Sequence, residues 1–437
     1  MAIYQQFQPG EYLPFEKKEV EYRQGIKDGT IQPPPPPGMP AADPNDPDSV
    51  PEFMRPKTYT EEEIIQYNHL WNPYDPLYND PKFAREHGLP SVPAYPGFDA
   101  MAPIMGIPGF PKDMADGFYY TFESCDIHYS KTIFAGDKLH KENSVNYLED
   151  QTVPGSDLRN WMMGGEEDKY TEDGKLAYHI QGKVRECYRK YAEGYKGEKY
   201  DFSRNMASWT AYFPPAHVTT DADYERMKTL WDAEVMNHDD VPYWEDVPVG
   251  YELPSTCSDG PITYMHMMYY YQIGDLSIYS REELMDPKVR AVTFRDQWGE
   301  YLDETALHFG GRNIPGSRGV FYNDTAARLI ARVLTNFVGT KGRVSRFGWQ
   351  FYPFFEELRQ WPICGEEFNK VPGMEGRCCD RHGSQGDTVI GRAVVTDKYL
   401  NAQGEHCCEV MLWAEDLDGH IIQGCPSEIV LPSREEK

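Results

Sequence analysis

The chain has 437 residues, 40% of them hydrophobic and 26% charged. That is too long for one ordinary core and has the make-up of a soluble globular protein of two domains, with room for a third. Lys and Arg number 43 against 70 Asp and Glu, a net charge of −27. So acidic a surface argues against nucleic acid as a partner, because that binding runs on cationic contacts to phosphate. No apolar run reaches the ~18 residues of a membrane span, and the polar opening MAIYQQFQPGEYLPFEKKEVEY lacks the apolar centre of a signal peptide. The expectation is a cytoplasmic protein with no membrane partner.

In chain order, residues 32–52 carry PPPPPG and PAADPNDPDSVP. Proline fixes φ and donates no backbone hydrogen bond, so this stretch reads as a polyproline-like arm, and residues 1–58 as an extension that wraps a partner subunit or its own body. TYTEEEIIQYNHLW opens with a threonine cap and an acidic first turn and predicts a helix. PKFAREHG predicts a short helix ended by glycine, and PGFDAMAPIMG an apolar one. The alternating runs FYYTFESCDIHYSK, KLHKENSVNYLE and KLAYHIQGKVRECYRKY predict strands. Gly136-Asp137 lies between the first two, and Asp173-Gly174 marks a hairpin before the third. Residues 201–240 read as a connector, with a helix at YERMKTLWDAEVMN.

From residue 241 the order repeats. VPYWEDVPVGYELP opens the second half and VRAVTFRDQWGEYL predicts its first helix. NDTAARLIARVLTNFVG is a long amphipathic helix, apolar at 329, 330, 333, 334 and 337. The runs VSRFGWQFYPF, TVIGRAVVTDKYL, HCCEVMLWAEDL and HIIQGCPSEIVL predict strands. Gly386-Asp387 and Asp418-Gly419 echo the turn pairs of the first half. A long sheet wrapped round one central helix is the hot-dog architecture. The pattern therefore predicts an α+β chain of two hot-dog domains, residues 59–200 and 241–437, with central helices at 97–106 and 323–337. Two unrelated α+β domains with similar turn chemistry are the alternative, because Gly-Asp and Asp-Gly are common turn pairs.

The nine cysteines include the neighbours Cys378-Cys379 and Cys407-Cys408 and form no CxxC. Reduced thiols are expected rather than a zinc site or a disulfide framework. The Met265–Met268 and Tyr269–Tyr271 cluster reads as apolar packing, and His128, in a strand-like run, as a structural histidine.

NPYDPLYNDPKFAREHGLPSVPAYPG resembles the signature of the MaoC-like (R)-specific enoyl-CoA hydratases and acyl dehydratases. In that signature Asp-x-Asn-Pro-aliphatic-His is followed by a short helix and then a glycine that opens the central helix. YWEDVPVGYELP and GDTVIGRAVVTDKYL…LPSR are similar to segments of the two-hot-dog members, over roughly residues 60–435. The resemblance implies a hydratase or dehydratase of α,β-unsaturated acyl-CoA thioesters, homo-oligomeric, with no cofactor and no metal. The acidic surface is awkward for coenzyme A, whose phosphates would need a local basic patch.

Comparison of the halves locates the chemistry that the resemblance implies. In the first half the Asp and His slots hold Pro73 and Tyr78, so that copy has lost its acid–base pair and Tyr78 reads as a pocket wall. In the second, Asp303 and His308 keep the spacing, with Thr305 and Ala306 in place of Asn-Pro. A carboxylate and an imidazole facing one water can deprotonate it and relay the proton. Spacing alone also arises by chance on an acidic chain. A backbone N–H at the start of a central helix would stabilise the thioester oxygen as it gains charge, and Gly97 and Asn323 occupy that position. Tyr322, Arg312, Arg318 and Arg328 flank the candidate site. The arginines there can hold a phosphate or carboxylate, or pair with Asp303, Glu304 and Asp324. A related enzyme acting on a non-CoA aromatic or enone compound, a catalytically silent binding subunit and a thioesterase are the competing readings.

Overall fold

The computed structural model describes residues 3–31, 55–100, 119–197, 217–263, 294–295, 301–302, 323–350, 365–377, 379–381 and 383–435. Their elements, in chain order, are α1 (Pro14–Lys27), β1 (Lys57–Thr58), α2 (Glu61–Trp71), α3 (Pro76–Asn79), α4 (Pro81–Glu86), β2 (Tyr119–Tyr129), β3 (Lys138–Asp150), β4 (Arg159–Thr171), β5 (Leu176–Tyr188), α5 (Asp221–Asp232), β6 (Glu252–Cys257), β7 (Phe294–Arg295), β8 (Tyr301–Leu302), α6 (Asn323–Ile330), α7 (Arg332–Val338), β9 (Arg343–Gln350), α8 (Gly365–Phe368), β10 (Ile390–Leu400), β11 (His406–Glu415) and β12 (Ile421–Val430). The chain divides into two compact units. One is made of Met1–Tyr59, Ala100–Cys125 and Gly136–Arg204, the other of Thr60–Asp99, Asp126–Ala135 and Asn205–Lys437.

In the first unit the strands lie in the order β1-β3-β4-β5-β2, and β3, β4 and β5 pair antiparallel along most of their length. The sequence pattern missed β4, because RNWMMGGEEDKYT interrupts its alternation with two glycines and a run of acids. Gly164 has a structural reason: a Cβ there would stand 2.0 Å from the carbonyl oxygen of Gly182 on β5. Only a residue without a side chain permits that approach.

The residues ahead of the proline stretch pack on this unit's own sheet. Leu13, Phe15 and Val20, from α1 and its cap, lie against Trp161, Met163, Val184 and Tyr188. Under them Glu16, with no solvent exposure, accepts hydrogen bonds from Arg159 Nε at 2.8 Å and Nη2 at 3.0 Å. The Tyr188 hydroxyl and Trp161 Nε1 also donate to this carboxylate. A carboxylate this deep is tolerable only when so fully partnered.

The second unit begins with α2, which has the predicted cap. Thr60 Oγ1 accepts from the Glu63 N–H at 3.2 Å, and Glu63 returns a carboxylate to the Thr60 N–H at 2.9 Å. Asp75 and Asp80 cap the short helices α3 and α4, each with proline at the first position. The connector helix α5 is capped by Thr220 and Asp223 in the same reciprocal way. The sheet runs β9-β12-β11-β10-β6, antiparallel throughout. Across it lie α6 and α7, whose residues Ala326, Ala327, Leu329, Ile330, Val333, Leu334 and Phe337 are all buried. This is the predicted central helix, interrupted at Ala331. α6 packs on β9 to β12, and α7 on β6, β9, β10 and β12, which is the hot-dog arrangement. The chain is thus α+β, a tandem hot-dog whose long strands pair antiparallel within each unit.

Two expectations change. The helix expected at 289–302 is contradicted where residues are described. Phe294 pairs with Leu302 and Arg295 with Tyr301, antiparallel. The segment carries Val292, Thr293 and Phe294, which favour strand, and Gly299, which disfavours helix. Of the first central helix, Gly97–Asp99 form a turn and residues 101–106 lie outside the described residues. The described cysteines, Cys379, Cys407 and Cys408 among them, are buried free thiols. No helix among the described residues is long and apolar enough to cross a membrane.

Within the second unit Arg346 of β9 grips Asp126 with Nε at 2.9 Å and Nη2 at 2.7 Å. Burial raises the Asp126 pKa, but hydrogen bonds from His128 and Arg346 and their charges outweigh it and bring the pKa down to about 2. A carboxyl depressed in the folded state contributes stability above its unfolded value, and that stability is lost as pH falls through the folded value. Between about pH 4 and pH 2 the protein is therefore expected to lose roughly 2 kcal/mol from this group. In urea denaturation followed across that range, Asp126→Asn should flatten the profile by the same amount.

Candidate functional site

Asp303, His308, Arg312, Arg318 and Tyr322 lie outside the described residues, as does the Met265–Met268 and Tyr269–Tyr271 cluster. Asn323 is the first residue of α6, so its backbone stands where the central helix opens. His128 is half exposed, with Nε2 3.4 Å from Asp126.

Arg328 lies one helical turn into α6. Its guanidinium stands over Trp71 at 5.4 Å, Tyr67 at 5.8 Å and Trp349 at 5.9 Å, and pairs with Asp324 at 3.5 Å. Of the two roles open to this arginine, the pair with Asp324 is the one observed. Tyr67 packs edge-on to Trp71 and Phe98. Burial pushes its phenol up to about 12, against the pull of Arg328.

Tyr78 and the Gly97 loop come together at one cavity of about 150 Å³ in the second unit. Its walls include Tyr78, Tyr95, Phe98, Tyr129, Phe134 and Val338. The loop is pinned at three points. The Tyr95 N–H donates to Asn68 Oδ1 and the Tyr95 hydroxyl to the Arg328 carbonyl, both at 2.8 Å. The Gly97 N–H donates to the Tyr129 hydroxyl at 2.8 Å. The Gly97 amide, one of the two expected oxyanion donors, is thus bound to a phenol of its own unit. Gly97 itself has φ +87°, and a Cβ there would stand 2.9 Å from the Tyr67 hydroxyl, so glycine is required twice over.

Burial raises the pKa of Tyr78 and of Tyr95, in each case against an ordinary value of 10.0. At neutral pH both are hydrogen-bond donors and not bases. At Tyr78 the motif of the first half can therefore bind an acceptor but cannot take a proton.

Two polar groups behind the cavity have no sequence signal beyond their residue types. Asp75, 1% exposed, caps α3 and meets His238 Nε2 at 3.1 Å. Burial raises the Asp75 pKa, opposed by the Leu77 N–H, His238 and Arg332. The pair joins residues 163 positions apart. Asp75 before Pro76 reads as a cap, and nothing local marks the histidine.

The second group is Arg332 of α7, 1% exposed. Nη1 donates to Asp259 Oδ1 at 3.1 Å and Nη2 to the Trp71 carbonyl at 3.1 Å. Glu234 Oε2 lies 3.8 Å away, and its other oxygen accepts from Asn336 Nδ2 at 2.8 Å. Burial raises the pKa of Glu234, with Arg332 pulling the other way.

No family model matches the sequence, and no curated protein matches it. The fold is similar to that of a MaoC-like dehydratase at 15% identity and TM-score 0.47, over 86% of this chain and 96% of the other. It is also similar to a double hot-dog protein from Mycobacterium tuberculosis at 12% identity and TM-score 0.42, over 87% and 94%. A MaoC-like dehydratase from Phytophthora capsici is similar at 10% identity and TM-score 0.38, over 86% and 94%. Likenesses this distant say nothing about reaction or substrate.

Arg332 makes a stability prediction. Removing one partner of a buried ion pair costs about 3–5 kcal/mol, because the other charge is left uncompensated. Arg332→Met should lose that much in chemical denaturation. Arg332→Met with Glu234→Gln should recover part of the loss, since it removes one of the stranded carboxylates.

Proposed function

We infer that the protein is a hydro-lyase that adds water to, or removes it from, an α,β-unsaturated acyl thioester, with CoA as the expected carrier. One observation carries the reading. Asp303 and His308 stand five residues apart in the segment that leads to Asn323, and Asn323 opens a central helix packed across a hot-dog sheet.

In the hydration direction Asp303 orients a water and takes its proton while the oxygen bonds to C3. His308 holds the same water and relays that proton to C2, so that the OH and H of one water are added across the double bond and both side chains return to their starting state. The thioester oxygen gains negative charge as C3 is attacked. The Asn323 N–H, at the positive end of the helix, is assigned to stabilise it. Tyr322, Arg312 and Arg318 are assigned to substrate binding, together with Tyr78 and Gly97 on the other side of the duplicated motif.

A second reading, hydration of a non-CoA aromatic or enone compound, is favoured by the aromatic cavity beside Tyr78 and by the net charge of −27, which repels phosphates.

His308→Ala and Asp303→Asn are each expected to lower turnover by ~10²–10⁴. The double variant should be little worse than either, because both groups act on one water. The assay follows loss of the conjugated double bond across a panel of 2-enoyl-CoA and free enone substrates, with circular dichroism to confirm folding. Wild-type turnover in both single variants would refute the assignment. A folded wild type inert on the whole panel would favour a binding subunit. Tyr78→Phe should alter KM more than kcat. A fall in kcat of ~10³ at unchanged KM would make Tyr78 an acid in the reaction.

A further inference from the structure

The cavity beside Tyr78 has the size and lining of a ligand site in its own right, and one hydroxyl on its wall that is open to an acceptor. A cavity of ~150 Å³ is large enough to take up a benzene ring, and this one has a volume of about 150 Å³ with a mixed lining that also includes Lys131, Thr132, Thr340 and Arg343. Five of its lining residues are aromatic, namely Tyr78, Tyr95, Phe98, Tyr129 and Phe134. Tyr78 and Tyr95 stand edge to face, centroids 5.8 Å apart at 77°, the geometry that also receives a third ring well.

The three tyrosines differ in what their hydroxyls do. That of Tyr95 donates to the Arg328 carbonyl and that of Tyr129 accepts from Gly97. Tyr78 is 5% exposed. Its backbone N–H and carbonyl are hydrogen-bonded, to Asp75 and Asn68, but its hydroxyl makes no hydrogen bond to any described residue. As a cavity-lining group it is open to an acceptor there, which would gain about the worth of one hydrogen bond.

We propose that this cavity binds a single aromatic ring bearing a carbonyl oxygen, with the ring among the tyrosines and phenylalanines and the oxygen accepting from the Tyr78 hydroxyl. Burial raises the pKa of that phenol, which keeps it a donor throughout the physiological range. The proposal concerns binding and does not depend on Asp303 or His308.

Acetophenone is the probe, titrated calorimetrically into the full-length protein, with toluene as the ring that lacks an acceptor. Acetophenone should bind one to one with a Kd of about 1 mM or tighter. Tyr78→Phe should weaken it about 3–10-fold, the worth of one hydrogen bond, and leave toluene unchanged. Ala94→Leu, on the cavity wall, should abolish binding of both while circular dichroism stays that of the wild type. In a crystal grown with 4-bromoacetophenone the bromine signal should lie in the cavity. Absence of saturable binding, acetophenone held equally well by Tyr78→Phe, or bromine located elsewhere would each overturn the proposal. If Ala94→Leu fails to fold, the Tyr78→Phe titration and the bromine position decide alone. Loss of turnover in the Asp303 and His308 variants with acetophenone binding intact separates this proposal from the assigned chemistry.

Discussion

The second unit depends on a guanidinium that has no access to water. Arg332 sits on the central helix, where an apolar residue would meet the ordinary demand of a hot-dog core, and it draws three distant segments to itself. It holds the carbonyl of Trp71, at the end of α2, and the carboxylates of Asp259 and Glu234. A buried cation must be surrounded by acceptors or not be buried at all. The positions of α2, of the loop after β6 and of the connector after α5 are thus consequences of one charge. Asn336, one turn further on, extends the same demand to Asn72 and Glu234.

The first unit meets an analogous constraint with different residues. Arg159, on its central strand, is satisfied by Glu16 from α1, 143 positions earlier. Apolar contacts between α1 and the sheet contribute area, and the ion pair adds direction, with Glu16 held also by Tyr188 and Trp161. Both units use a polar contact to recruit a segment from outside the repeated strand pattern, and the apolar core alone would not specify where that segment docks.

Around the cavity the same economy of polar groups has a chemical outcome. Tyrosines occupy a region where the family resemblance leads one to expect an imidazole, and burial holds their protons in place. The Gly97 amide, free in principle to bind an oxyanion, is taken by Tyr129. At that end of the motif the Tyr78 hydroxyl is a donor among aromatic rings.

The sequence by itself determined the periodic features: the cap at Thr60, strands with alternating polarity, glycine turns at 136, 174, 386 and 419, and an amphipathic central helix from Asn323. These are legible because they depend on neighbours within one or two turns or a strand's length. It misled where local chemistry was overruled or hidden. Gly164 of β4 read as part of an interruption until its close approach to Gly182 explained it, and the segment around Phe294 read as helix although its described residues pair as strands. Tertiary structure alone decided that Asp75 meets His238, that Arg332 meets Asp259 and Glu234, that α1 docks through Glu16, and that the Gly97 amide is already bound. The reason is common to all four. Each contact joins residues tens to hundreds of positions apart through groups that carry no periodic signature, and only the folded chain brings a buried charge or an orphaned donor to the partner that its burial requires.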